Sequence, residues 1–189
     1  MRILQHTFDD YMEIVQKFHG YAAPGVLIGG VMVDRAVKDL PGGILYYAVC
    51  ETRFCLPDAV QLLTPCTIGN GWLKVLHSGR YALTLYGKET NEGVRVSLDA
   101  EKVEPWGHIK TWYLKLKPKQ EQDRERLVAE IREAGADVMD IRRVRIDSRF
   151  AGKRHKGQIA ICPQCREAYP ADDGRVCLAC QGETPYLLP

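Results

Sequence analysis

The sequence predicts an α+β protein: a mixed or antiparallel sheet with helices packed on it, followed by a small C-terminal zinc ribbon. Three observations carry this prediction. Apolar residues recur at helical spacing near the start, at Phe8, Tyr11, Val15 and Phe18. Short β-rich runs, such as residues 44–50, lie further along. Two C-x2-C pairs, Cys162/Cys165 and Cys177/Cys180, stand near the end with eleven residues between them.

The elements follow in order. Thr7 and Asp10 form a T-x-x-D capping signal for a first helix over residues 8–18. That helix ends near His19-Gly20. A second helix starts after Pro24-Gly25, with proline suited to a first turn. Gly29, Gly30 and Ala36 leave it little bulk, so another element can pack closely there. Pro41-Gly42-Gly43 ends it. Residues 44–50 read as a buried strand, and 57–63 as a short helix stopped by Pro65. Strands are expected at 81–86 and 94–98, around a polar turn at 88–93. Residues 111–117 alternate, with Trp112, Leu114 and Leu116 on one side, and read as a further strand. Residues 120–134 form an amphipathic helix with Gly135 as its C-cap, and 138–146 a final strand. The division is a core domain over 1–148, a basic linker over 149–157 and the zinc ribbon over 158–189.

Length and composition suit this division. The 189 residues are 46% hydrophobic, enough for one medium domain and a small appendage. No apolar run approaches the roughly 18–20 residues of a membrane span, and no signal core opens the chain. Seven cysteines, an odd number with four in metal spacing, agree with a reducing compartment, so a cytoplasmic location is expected. Between positions 141 and 157, seven Arg and Lys face one acid, Asp147. That segment is +6 in a chain of net +2. No aromatic residues interleave the basics, so it reads as a solvated strand and linker, not a grip on nucleic acid.

Each C-x2-C pair can place two sulfurs on one turn, and two such turns make a tetrahedral thiolate cage. Cys162, Cys165, Cys177 and Cys180 are therefore read as zinc ligands, with iron in a rubredoxin-like cage as the competitor and disulfides as the bland alternative. Four thiolates and one zinc carry net −2, which offsets the formal +2 of the chain. With every ligand a protein sulfur, such a site supplies folding energy and no open position for substrate.

Three blocks carry a resemblance to a family. The first is Phe18-His19-Gly20-Tyr21-Ala22-Ala23-Pro24-Gly25. The second is Cys55-Leu56-Pro57-Asp58-Ala59-Val60-Gln61, then Cys66-Thr67-Ile68-Gly69-Asn70-Gly71. The third is Gly93-Val94-Arg95-Val96. With the cysteine tail, these blocks resemble the FmdE family of formylmethanofuran dehydrogenase components. The resemblance implies association with a molybdenum or tungsten enzyme that fixes carbon dioxide onto methanofuran, with pterin and catalytic metal in other subunits. It also implies a homodimer. The family's first block commonly reads H-G-H-x-C-P-G. Tyr21 and Ala23 stand here instead, so two soft ligands are missing from any metal or redox site built on that block.

His19, Cys55 and Cys66 remain as possible ligands of a second metal or ligand site. Asp58 is placed to orient a histidine, and Gln61 and Asn70 to present polar groups. His19 with Cys66, at the ends of two helices, is the easier pair to bring together. The alternative is that Cys55 and Cys66 are small buried hydrophobes and His19 caps a helix end. Cys50 reads as core. His77 and His108 read as structural, and Trp72, Trp106 and Trp112 as packing residues.

The expected function is a zinc-binding accessory, or FmdE-like component, of a formylmethanofuran-dehydrogenase-type redox system. Two alternatives stand beside it. One is a stand-alone metal- or cysteine-dependent enzyme using His19 and Cys66, although no complete nucleophile–base–orienter set is visible. The other is a zinc-ribbon nucleic-acid-binding adaptor.

Overall fold

The computed structural model describes residues 1–153 and 157–186. It divides into two compact units, Met1–Gly152 and Lys153–Pro189. The first unit opens on a two-residue antiparallel pair, β1 (Arg2–Ile3) and β2 (His6–Thr7). Thr7 then caps α1 (Phe8–His19). The capping box is complete: the Asp10 N–H donates to Thr7 Oγ1 and the Thr7 N–H to Asp10 Oδ2, each at 3.1 Å. Gly20, at φ +90°, ends the helix in the left-handed region.

The sheet of this unit has five strands: β3 (Tyr46–Cys50), β4 (Leu73–Val75), β5 (Ala82–Gly87), β6 (Glu92–Leu98) and β7 (Met139–Arg145). Their spatial order is β4-β3-β5-β6-β7. The β3–β4 pair is parallel and is connected through α3 (Leu56–Leu63); the other pairs are antiparallel. The sheet is therefore mixed. Two helices, α4 (Gly107–Tyr113) and α5 (Arg124–Ala134), fill the connection from β6 to β7.

The core lies between one sheet face and α2 (Pro24–Asp39). The two-residue period of the strands puts Ala48, Cys50, Leu83, Leu85, Val94 and Val96 on that face. Eleven residues of α2 are buried, since α1, α3 and α5 pack round it on the sides the sheet leaves open. The close approach expected at its glycines is met within the chain. A Cβ added to Gly30 would lie 2.6 Å from Tyr11 Cζ, and one added to Gly29 would lie 2.9 Å from Ala59 Cβ. Tyr11 is fully buried, and its hydroxyl donates to Val26 O at 2.9 Å.

Residues 150–152 lie against the opposite face. Lys74 Nζ donates to Phe150 O at 2.9 Å, and the Gly152 N–H donates to Tyr86 Oη at 3.2 Å. Part of the segment expected as linker is thus tied to the core unit. Of the basic stretch, Arg142, Arg143 and Arg145 sit on β7. Arg142 pairs with Asp140 and Arg149 with Asp147. Arg154 and Lys156 lie outside the described residues.

Two expectations need correction. Residues 111–117 are not a strand: Thr111, Trp112 and Tyr113 close α4, and Lys115 follows at φ +55° in a turn. The apparent alternation is a helix end running into that turn. The helix expected from 120 begins at Arg124, because the Asp123 side chain caps it by accepting the Arg126 N–H at 3.0 Å. A 3-10 turn at Lys119–Glu121 precedes it.

The second unit is a hairpin of β8 (Ile159–Ile161) and β9 (Ala168–Pro170), followed by 3-10 turns at Ala171–Asp173 and Leu178–Gln181. Cys162, Tyr169 and Cys177 are its buried side chains.

Candidate functional site

In the second unit Cys162 leaves β8, and Cys165 lies in the turn towards β9. Cys177 stands at the head of the last 3-10 turn, which carries Cys180. The four sulfurs lie within 4.8 Å of one another, and Cys165 Sγ and Cys177 Sγ are 3.6 Å apart. All seven cysteines of the chain are unpaired thiols. Backbone N–H groups of Cys165 and then Cys177 hold the Cys162 thiol low, at about 6. Burial and the neighbouring sulfurs push Cys180 up to about 12. Four thiols this close cannot all ionise unless a cation shares their charge. The donor set fits tetrahedral zinc, with no position left for water or substrate.

In the core unit, His19 ends α1 and Asp58 stands in the first turn of α3. His19 Nδ1 lies 2.6 Å from Asp58 Oδ2, so the carboxylate accepts from the ring and fixes its orientation. The Tyr21 ring is 5.3 Å from the imidazole. Cys66 is buried, its thiol donating to Tyr46 O at 3.5 Å. Burial pushes that thiol up, against a hydrogen bond from Thr64 and the charge of Lys88. No hydrogen bond joins His19 to Cys55 or Cys66.

Gln61 and Asn70 shape the loop that leads into β4. Gln61 Oε1 accepts the Ile68 N–H at 3.2 Å. Asn70 Oδ1 accepts the N–H groups of Thr67 at 3.1 Å and Trp72 at 2.9 Å, and its Nδ2 donates to Pro65 O at 2.8 Å. Both side chains are thereby committed to local backbone.

Cys55 has the most unusual backbone of the candidates. Its φ is +55° and ψ −48°, and the Leu56 N–H donates across it to Phe54 O at 2.5 Å. This is a γ-turn of the rare, strained hand, placed directly before α3. The side chain lies against Gly25, where a Cβ would come within 2.9 Å of the sulfur. The nearby Tyr81 hydroxyl donates to Gly25 O at 2.5 Å. Burial raises the Cys55 thiol and Asp58 adds to this, while Lys115 and Lys119 oppose it.

Cys55 lines two clefts. One, of about 820 Å³, is also lined by Tyr21, Ala23, Pro24 and Trp112. The other, of about 680 Å³, is lined by Tyr81, Arg95 and Trp112. Neither His19 nor Cys66 lines them. Tyr81 and the cations at 115–124 were not among the sequence candidates. The signal for the cations was the Lys115-Leu116-Lys117-Pro118-Lys119 run. Arg95, from the third family block, is structural. It grips buried Glu51 through Nε at 2.6 Å and Nη2 at 3.2 Å, with Arg80 on the same carboxylate. His108 is held by Glu130 at 2.8 Å.

Residues 18–146 match the family model described as FmdE, molybdenum formylmethanofuran dehydrogenase operon. Residues 153–187 match the FmdE treble clef zinc finger. The crystal structure of a tungsten formylmethanofuran dehydrogenase FmdE-like protein from Syntrophus aciditrophicus is 61% identical, covers 98% of each chain and has a TM-score of 0.90. A probable S-adenosyl-L-methionine-binding protein from Archaeoglobus fulgidus is 36% identical over 96 residues, 47% of this chain and 26% of that relative. The chain thus spans about a quarter of the length of that curated relative. No described helix is long and apolar enough to cross a membrane. With its four-sulfur cage and the matching finger, the tail is a zinc-binding module. The core and the tail together place this chain in the FmdE family.

Proposed function

We propose that the protein is an accessory, FmdE-type component of a molybdenum- or tungsten-dependent formylmethanofuran-dehydrogenase-type redox system. The observation that carries this reading is the near-full-length likeness to the Syntrophus aciditrophicus protein, at 61% identity. The site chemistry supports a role without turnover of its own. Among the described residues, the tail cage is the one cluster of three or more His, Cys, Asp or Glu side chains placed to hold a metal, and all its ligands are sulfur. His19 is bound to Asp58, and Cys66 to a strand carbonyl, so they do not form a nucleophile and base in contact.

The proposal includes a homodimer made by the core domain, for which exposed Phe18, Phe54 and Ile68 offer apolar surface. Affinity purification of the tagged chain from its own cells, with metal analysis of what accompanies it, tests the assignment. Enrichment of a molybdenum or tungsten enzyme is expected; a chain recovered free of both metals overturns it. Sedimentation at micromolar concentration tests the dimer, and a monomeric mass removes it.

A further inference from the structure

The cleft of about 820 Å³ beside Cys55 is large enough for a small organic molecule. Its rim carries four cations: Lys115, Lys117, Lys119 and Arg124. None of the four forms an ion pair with a described acid. Lys119 Nζ instead donates to Tyr21 Oη at 3.2 Å and sits 4.8 Å from the centre of that ring. Arg124 lies 5.8 Å from the same ring and donates to Ala22 O at 3.2 Å. Lys115 is 5.5 Å from the Trp112 ring. No acid lines the cleft; Glu121 and Asp123, nearby in sequence, line a separate recess.

Unpaired like charges around one hollow repel each other, and the repulsion is strongest where apolar walls keep water away. Here the rings of Tyr21 and Trp112 hold the charges near the opening. Their field also reaches the floor, where Lys115 and Lys119 pull against the burial of the Cys55 thiol. The walls include Ala23 and Pro24, and Trp112 adds a flat apolar surface. The charge and the lining together describe the complementary guest.

We infer that this cleft binds a small organic anion, a carboxylate or phosphate ester carried on a flat apolar body. The anion meets Lys115, Lys119 and Arg124, and the body lies against the Trp112 side of the hollow. This site is independent of the tail zinc and of any redox partner, so failed copurification would leave it standing.

Fluorescence titration of the full-length, zinc-loaded chain with two dyes of similar shape tests it. One is anionic, 8-anilinonaphthalene-1-sulfonate; the other is neutral, N-phenyl-1-naphthylamine. The anionic dye is expected to bind at least about tenfold tighter, an advantage that shrinks as salt is raised. Lys115→Gln with Lys119→Gln should weaken the anionic dye by about tenfold or more and leave the neutral dye within about twofold. Arg124→Gln, alone, supplies the same readout should the double variant fail to fold. Lys88→Gln, stacked on Trp72 away from the cleft, should change neither dye. Equal affinity for the two dyes, or anionic binding untouched in a folded cleft variant, overturns the inference.

Discussion

Replacing Gly30 by alanine puts one methyl group into one of the closest contacts of the core, against the buried Tyr11 ring. In an ordinary helix the change would stabilise by about 1 kcal/mol, because glycine is the poorer helix former. Here the new Cβ would meet the Tyr11 ring, 2.6 Å from Cζ and 2.8 Å from Oη, with Cε1 nearer still. Tyr11 has no exposed surface and no free end to swing aside. Moving the ring to ordinary contact distance breaks its hydrogen bond to Val26 O. Overpacking costs about 1–3 kcal/mol, and an unsatisfied buried hydroxyl about 1–3 kcal/mol more. These outweigh the helix gain and leave a net loss of about 1–5 kcal/mol. Urea unfolding followed by tryptophan fluorescence reads this cleanly, since Trp72, Trp106 and Trp112 all lie in the core unit. With a slope of roughly 2 kcal/mol per molar, the midpoint should fall by about 0.5–2.5 M. Gly42→Ala, where nothing lies within 4 Å, is the control and should move it little. Pairing Gly30→Ala with Tyr11→Leu should cost less than the two changes separately, because the clashing ring atoms are gone. A Gly30→Ala protein as stable as the parent would refute the close-packing argument.

Other outcomes follow from the same geometry. Cys162→Ser should abolish the roughly one zinc per chain while leaving the tryptophan-monitored unfolding of the core unchanged; atomic absorption and the urea curve check both halves. Glu51→Gln removes the partner of half-buried Arg95 and should cost about 2–3 kcal/mol at neutral pH. Burial raises the Glu51 carboxyl, but the hydrogen bonds and charges of Arg95 and Arg80 outweigh it and hold it below its ordinary 4.5. A depressed carboxyl stabilises above its unfolded value, and that contribution is lost as pH falls through the folded one. The gap between parent and variant should therefore be constant above about pH 5 and narrow below 4.5; a gap that widens in acid contradicts the assignment. Tyr81→Phe deletes the hydroxyl bonded to Gly25 O and should lower core stability by about 1–1.5 kcal/mol in the same urea assay.

What was legible in the sequence was local. Thr7 and Asp10 announced the start of α1 because a capping box is written within four residues. The paired cysteines announced the tail cage because two tight turns suffice to build it. Short or context-dependent features were not legible. β4 is three residues long, too short for its period to show, and its pairing with β3 is set across α3. At 111–117 a helix end imitated strand alternation, since only the backbone reversal at Lys115 separates the two readings. The core site was half legible. The second block placed Asp58 where a histidine could use it, and the structure supplies His19 from 39 residues away. The environment of Cys55 was not legible, because Gly25, Tyr81 and Trp112 reach it from three separate parts of the chain.

The enclosure of α2 has a consequence for how this protein can vary. A surface helix tolerates change on its solvent side, so acceptable substitutions recur with the helical period. From Gly25 to Asp34 every residue of α2 is buried, so no such side exists there. A saturation scan should show that stretch as an unbroken block of intolerance, with periodic tolerance returning only at Arg35 and beyond. The same enclosure protects its amides. Their hydrogens can exchange only when the surrounding helices and sheet come apart together, so they should be among the last in the chain to take up deuterium.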